Sequence, residues 1–230
     1  MRTNAFAPLT PPIRAYSNLI AVCGAALLAL TVVTTARADT ETRATGPFHA
    51  VAVEGSWTVD VTVGKDPSVV LEGDKDAIAK VKTDVVNGEL RVRLDHGMFF
   101  SFFKMGKVGA LAAHITVPSL DAFTRSGSGA ATITGLKEGK VTLESNGSGD
   151  LKATGQVGDL VLDINGSGAA DLAGLATDNA VVTINGSGDI VVQARQSLVA
   201  TINGSGDIKY VGEPAHLTTA VHGSGSIGKK

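Results

Sequence analysis

The sequence predicts an all-β protein: a right-handed β-solenoid with coils of ~19 residues over 121–230, behind a β-rich portion with one short helix over 39–120. Three observations carry this expectation. A four-residue unit, x-Gly-Ser-Gly, begins at Ser126, Asn146, Asn165, Asn185, Asn203 and His222, in steps of 18 to 20 residues. Apolar and polar residues alternate with period two on both sides of each unit, which is the signature of strands. Glycine is about twice its usual share, with 28 in 230 residues, and the repeat units hold many of them. The spacing is too long for collagen, and the 43% hydrophobic content argues against wholesale disorder. A net charge of −2 argues against a nucleic-acid partner.

Residues 1–38 read as a signal peptide. Arg2 and Arg14 precede an apolar run from Leu19 to Val33, and Ala36-Arg37-Ala38 supplies small residues for cleavage. The run is 15 residues long, short of the ~20 a membrane span needs. Export through the Sec route is therefore expected, to the periplasm, the cell envelope or the exterior. Cleavage removes Arg2, Arg14 and Arg37 but no acid, so the charge falls from −2 to −5. Cys23 leaves too, which excludes disulfides, thiolate metal sites and cysteine nucleophiles from the mature chain.

The first mature half carries the repeat weakly. Val51, Val53, Trp57, Val59, Val61 and Val63 alternate around Gly55, and Val53-Glu54-Gly55-Ser56 reads as a worn copy of the unit. Ser68–Glu72 reads as a strand. Asp74 caps a short helix with Ile78 and Val81 on one face. Val85–Leu90 reads as a hairpin turning at Asn87-Gly88, and His114–Val117 as a strand closed by Pro118. Between them Phe99, Phe100, Phe102 and Phe103 hold four of the eight mature aromatic residues. These rings read first as a cap on the solenoid end or a filling for the junction between the two halves. The competing reading is an exposed loop for a partner or a membrane surface, with Lys104 and Lys107 beside it.

The repeat columns predict the core. One residue before each unit stand Arg125, Ser145, Ile164, Ile184, Ile202 and Val221; three before, Phe123, Leu143, Leu162, Val182, Ala200 and Thr219. A lone coil cannot bury its own face, so stacked coils share one aliphatic core. Gly at the corners allows positive φ and close backbone approach. Stacked Asn146, Asn165, Asn185 and Asn203 suit an amide ladder, and Ser148, Ser167, Ser187 and Ser205 a parallel hydroxyl row. Asp121 and Arg125 occupy columns that are apolar elsewhere, as expected of a capping coil. Lys229 and Lys230 are expected to blunt the open sheet end.

The stretches Phe48–Trp57, Asn87–Val92 and Ile115–Leu120, followed by the Asn-Gly-Ser-Gly-Asp copies, resemble the head GIN domain family. That family is described as autotransporter adhesin heads. The resemblance spans residues 48–228. It implies an exported, β-solenoid-like protein with an adhesin-like role, and it brings no catalytic residues. The sequence shows no strand-rich translocating barrel after the repeats, so a periplasmic or separately exported location is expected.

Other chemistry is weaker. Asp150, Asp189 and Asp207 follow three units, which raises calcium; Ala130, Ala169 and Ser226 break the column, and solvated turn carboxylates are the preferred reading. No cofactor is expected. A polysaccharide lyase or hydrolase would need clustered acids with a base. Glu144 and Asp163 are neighbours two before the corner, but their column continues as Thr183 and Thr201 with no basic residue. The expectation is a non-enzymatic binding or structural protein of the cell envelope with a glycan or protein partner. The candidate rows are Thr183 with Thr201, and Thr142, Val161, Val181, Val199 and Thr218. A carbohydrate-active enzyme is the alternative.

Overall fold

Alternating burial builds the first coil. In the computed structural model, which describes residues 38–95 and 111–230, β1 (Asp39–Arg43) is followed by β2 (Ala50–Glu54) and β3 (Thr58–Val63). Val51, Val53, Trp57, Val59, Val61 and Val63 all point inward and are buried. Gly55, at φ +152°, turns the corner between them. Next come β4 (Ser68–Gly73) and the helix α1 (Lys75–Ile78). Asp74 holds the N-cap position without a side-chain cap bond, and Ala77 and Ile78 are buried. Val81, expected on the helix, instead opens β5 (Val81–Val86). Asn87 (φ +53°) and Gly88 (φ +77°) turn β5 into β6 (Glu89–Leu94). This is the left-handed pair that a tight hairpin requires. β7 (Ala112–Val117) follows.

The repeat then runs through β8 (Ala122–Gly127), β9 (Ala131–Leu136), β10 (Lys140–Gly147), β11 (Leu151–Gly166), β12 (Ala170–Gly186), β13 (Ile190–Gly204), β14 (Asp207–Val211), β15 (His216–Gly223) and β16 (Ser226–Lys229). Each corner joins two parallel stacks. The first stack contains β8, β10, the second halves of β11, β12 and β13, and β15. Asn146, Asn165, Asn185, Asn203 and His222 lie in register there. The second stack contains β9, the first halves of β11 to β13, β14 and β16. The shared core is aliphatic: Leu162, Ile164, Val182, Ile184, Ala200 and Ile202 are fully buried.

The glycines are forced by stacking. At Gly147, Gly166, Gly186 and Gly204, φ lies between +127° and +147°. A Cβ there would also lie under 3.0 Å from the carbonyl oxygen of the equivalent glycine one coil earlier. No other residue type fits that corner without moving the backbone.

The stacks do not stop at residue 120. β2 pairs in parallel with β8, placing Glu54 on Ser126, and β3 pairs with β9. The worn copy at Glu54-Gly55-Ser56 is therefore a true corner. Beyond it, β6 pairs with β2 and β7 with β3, both parallel. One further coil thus lies outside the first, although it comes later in the chain. Antiparallel strands cap it: β5 on β6, β4 on β7 and β1 on β4. Residues 37–230 form one compact unit.

This topology corrects the expected role of Arg125. Its coil is interior, because β2 and β3 stack on it. The side chain is 1% exposed and points into the core. It donates to the carbonyls of Gly129 and Gly149 and to Ser145 Oγ. Burial pushes the guanidinium pKa down, and nearby Asp150 opposes that shift. A charge that lost its water has been given neutral oxygens from two corners in return.

Candidate binding surface

The corner row forms a continuous amide ladder. Asn165 Nδ2 donates to Asn146 Oδ1, Asn185 Nδ2 to Asn165 Oδ1, and Asn203 Nδ2 to Asn185 Oδ1, each at 2.8 Å. Asn146 Nδ2 closes the row on Glu144 Oε1 at 3.0 Å. Every internal amide gives one hydrogen and accepts one, so the row polarises along the solenoid axis. Ser148, Ser167, Ser187 and Ser205 are exposed beside it. Their backbone N–H groups donate to the glycine carbonyl one coil back, at 2.8 to 3.2 Å.

The aspartates after the corners are stitches between coils. Asp150 Oδ1 accepts Ala169 N–H at 3.2 Å, and Asp189 Oδ1 accepts Asp207 N–H at 2.9 Å. Asp207 Oδ1 accepts both Ser226 N–H (2.9 Å) and Ser226 Oγ–H (2.7 Å). These bonds favour the ionised form, so the Asp207 carboxyl sits below the usual carboxylate range. Sequence reading missed a second polar row at the far corner. There Asn179 Nδ2 donates to Asp159 Oδ1 (2.9 Å) and Ser197 Oγ to Asn179 Oδ1 (2.8 Å). The signal was the column six before each unit, where Asp159, Asn179 and Ser197 align.

The outer face of the first stack carries three parallel rows. The amide ladder is one. Glu144, Asp163, Thr183 and Thr201 stand in register as the second, and Thr142, Val161, Val181, Val199 and Thr218 as the third. Val181 is 44% exposed and Val199 38%. Toward the capped end the face continues over Ala50, Ala52 and Ala122 to Glu89, Arg91 and Arg93. The small alanines leave a shallow depression of about 470 Å³ lined by Ala52, Glu54, Glu89, Arg91, Val92, Arg93 and Thr124. Arg91 Nε donates to Glu89 Oε1 at 2.5 Å, and Arg93 Nη2 pairs with Asp84 at 2.8 Å.

Arg91 corrects one reading. The column of Glu144 and Asp163 does hold a base, in a coil that the sequence alignment had not reached. Three strand steps separate Arg91 from Glu144, roughly 14 Å at ~4.8 Å each, so the charges do not converge. On the second stack, His114 meets Asp60 at Nδ1 (3.3 Å) and Glu72 at Nε2 (3.4 Å). The two carboxylates lie on opposite ring nitrogens. Among the described residues no three His, Cys, Asp or Glu side chains are placed to hold a metal ion.

Phe99, Phe100, Phe102 and Phe103 lie outside the described residues, as do residues 1–37. The flanks of the Phe segment are described. Arg93 pairs with Glu54 in β2, and Ala112 pairs with Thr58 in β3. The end of β6 and the start of β7 therefore stand on the strands β2 and β3 that flank the Gly55 corner.

The family model described as "Putative auto-transporter adhesin, head GIN domain" matches residues 47–214. The chain belongs to this family. A solved structure from Bacteroides fragilis, named as a putative adhesin, shares the fold of this GIN domain. It has a TM-score of 0.70 at 22% identity, over 84% of this chain and 97% of its own. A Parabacteroides distasonis structure, named as a putative lipid binding protein, gives 0.55 at 20% identity, over 85% and 98%. A putative adhesin from Parabacteroides merdae gives 0.50 at 17% identity, over 85% and 97%. No curated protein matches the chain.

Proposed function

We propose that this GIN domain is an exported, non-enzymatic binding protein of the cell envelope that holds an extended glycan along the outer face of its first stack. One observation carries the reading: three outward rows repeat in register from coil to coil, with Val181 and Val199 exposed between polar neighbours. Repeated side chains at ~4.8 Å suit a ligand that is itself repetitive. The adhesin naming of the family and of its structural relatives supports the binding role. The signal-peptide pattern of residues 1–38 supports export. The separation of Arg91 from Glu144 and Asp163 supports binding without catalysis, because cleavage needs those groups around one bond. Phe99, Phe100, Phe102 and Phe103 are proposed as a second contact, for a protein or membrane surface.

Envelope polysaccharides incubated with the protein separate the classes. The reading expects retention of polymer with no new reducing or unsaturated ends. New ends would establish the lyase or hydrolase alternative, and a lack of retention across the panel would defeat the binding reading. Phe100→Ser with Phe102→Ser should abolish protein capture while leaving glycan retention intact.

A further inference from the structure

The two ends of the solenoid differ. At one end antiparallel strands cover the outermost coil. Their edges carry charge: Asp39, Glu41 and Arg43 on β1, and Lys82 and Asp84 on β5. Beneath them Ile78 of α1 is buried, at 2% exposure. Such charged, covered edges resist pairing with another chain. The other end has no covering strands among the described residues, and the charge on its edge strands is Lys229 of β16. Among the described residues β15 pairs only with β13, and β16 only with β14. β15, His216–Gly223, contains no Asp, Glu, Lys or Arg. Lys229, expected to guard this end, stands on β16 and pairs with Glu213, so the β15 edge carries no such guard.

The open end also exposes the core columns. Leu217 stacks on Leu198 and Val221 on Ile202. Leu198 and Ile202 are fully buried, yet Leu217 is 44% exposed and Val221 42%. In every interior coil these columns are covered by the next coil, so this end offers half of a coil-to-coil contact.

We propose that the open ends of two copies of this chain meet end to end, forming a two-fold dimer in which β15 pairs antiparallel with β15 of the second copy. Two features select a second copy over a lone strand from another protein. The end presents two sheet edges at once with an apolar strip between them, and a coil of the same cross-section fits both. The register is also self-complementary. A two-fold axis at Thr219 sets Leu217 opposite Val221 of the second copy, and both residues point to the core side because they are four apart on one strand. The closed end excludes head-to-tail growth, so association stops at two.

The area fixes the strength. An eight-residue strand spans roughly 26 Å, and the packed sheets lie about 10 Å apart, so each end offers on the order of 300–400 Å². The pair buries roughly 600–800 Å², below the 1,200 Å² at which stable interfaces begin. The dimer is therefore weak and reversible, to be sought at protein concentrations of roughly 10 µM to 1 mM.

Sedimentation equilibrium and small-angle scattering on residues 37–230, across that concentration range, test the proposal. The expected result is a mass rising from one chain toward two, with the maximum dimension nearly doubling. Val221→Lys should stay at the mass of one chain throughout. Val86→Lys, an exposed residue on the capped end, should dimerise like the parent. Melting curves confirm that both variants fold, and Val221→Ser replaces Val221→Lys if the latter does not. Four results would overturn the proposal: a parent that stays monomeric, which would mean another occupant covers this end; a dimer of unchanged length; a Val221 variant that dimerises like the parent; or loss of the dimer in Val86→Lys.

Discussion

Gly186 and Gly139 make a matched pair for testing why this chain carries so much glycine. At Gly186, φ is +140°, and a Cβ would lie under 3.0 Å from the Gly166 carbonyl oxygen. That oxygen already accepts Ser187 N–H at 2.8 Å. Gly186→Ala therefore forces a sparsely populated backbone conformation, costing about 1–3 kcal/mol. It also displaces the bonded carbonyl, and losing that bond adds about 1–3 kcal/mol. The sum is about 2–6 kcal/mol, a large share of the stability of an ordinary domain. At Gly139 the same Cβ meets nothing within 4 Å, and φ is not positive. Gly139→Ala should be neutral or stabilising by up to about 1 kcal/mol, by narrowing the unfolded ensemble. Urea unfolding of both variants beside the parent gives the two differences. Equal effects, or a Gly186→Ala cost below about 1 kcal/mol, would refute the argument that stacking demands the corner glycines.

Other expectations follow from the buried and stitched groups. Arg125→Ala strands the Gly129 and Gly149 carbonyls and Ser145 Oγ, so urea unfolding should show a loss of about 1–3 kcal/mol for each acceptor left unpaired. Arg125→Met refills the volume but not the bonds, and its cost should fall below that of the alanine variant. Asn185→Ala removes one ladder bond on each side, at about 0.5–1.5 kcal/mol per bond. A double-mutant cycle with Asn165→Ala should return less than the sum of the two single costs, since the two residues share a bond. Asp207 is held below the ordinary carboxylate value by Ser226. Its contribution is therefore complete above the unfolded value of about 3.9, and disappears as pH falls through the lower folded value. A carboxyl-carbon NMR titration should place Asp207 below a free aspartate, and Ser226→Ala should move it upward.

The repeat was legible because each corner glycine answers a steric demand that no other residue meets. The alternating columns were legible for a related reason: a parallel coil buries the same positions every time. Gly55 was readable as a corner on those grounds. Its neighbour Trp57 hid the copy, since it stands in the column held by Gly129, with its indole against Gly55. The outermost coil was hidden by length. β6 ends at Leu94 and β7 begins at Ala112, a spacing far longer than the four-residue unit, which breaks the period. Its order was hidden too, because the chain builds β2–β3 first and lays β6–β7 outside later. Arg125 was misread as a cap for that reason, and Arg91 was missed in the Glu144 column. The Asn-to-Asn bonds follow from a column of identical amides at one strand spacing. The Asp stitches were harder to see, because their acceptors serve backbone N–H groups, which every residue type supplies.

Length-graded oligosaccharides from the cell envelope test the central claim, that ligand lies along the in-register outer rows. Binding is measured for the parent and for a variant with Val181→Arg and Val199→Arg. Both sites are exposed, so the fold should persist. The account predicts affinity that climbs with oligosaccharide length as more coils are engaged, and loss of that climb in the variant. Affinity independent of length, or unchanged by both arginines, would contradict it.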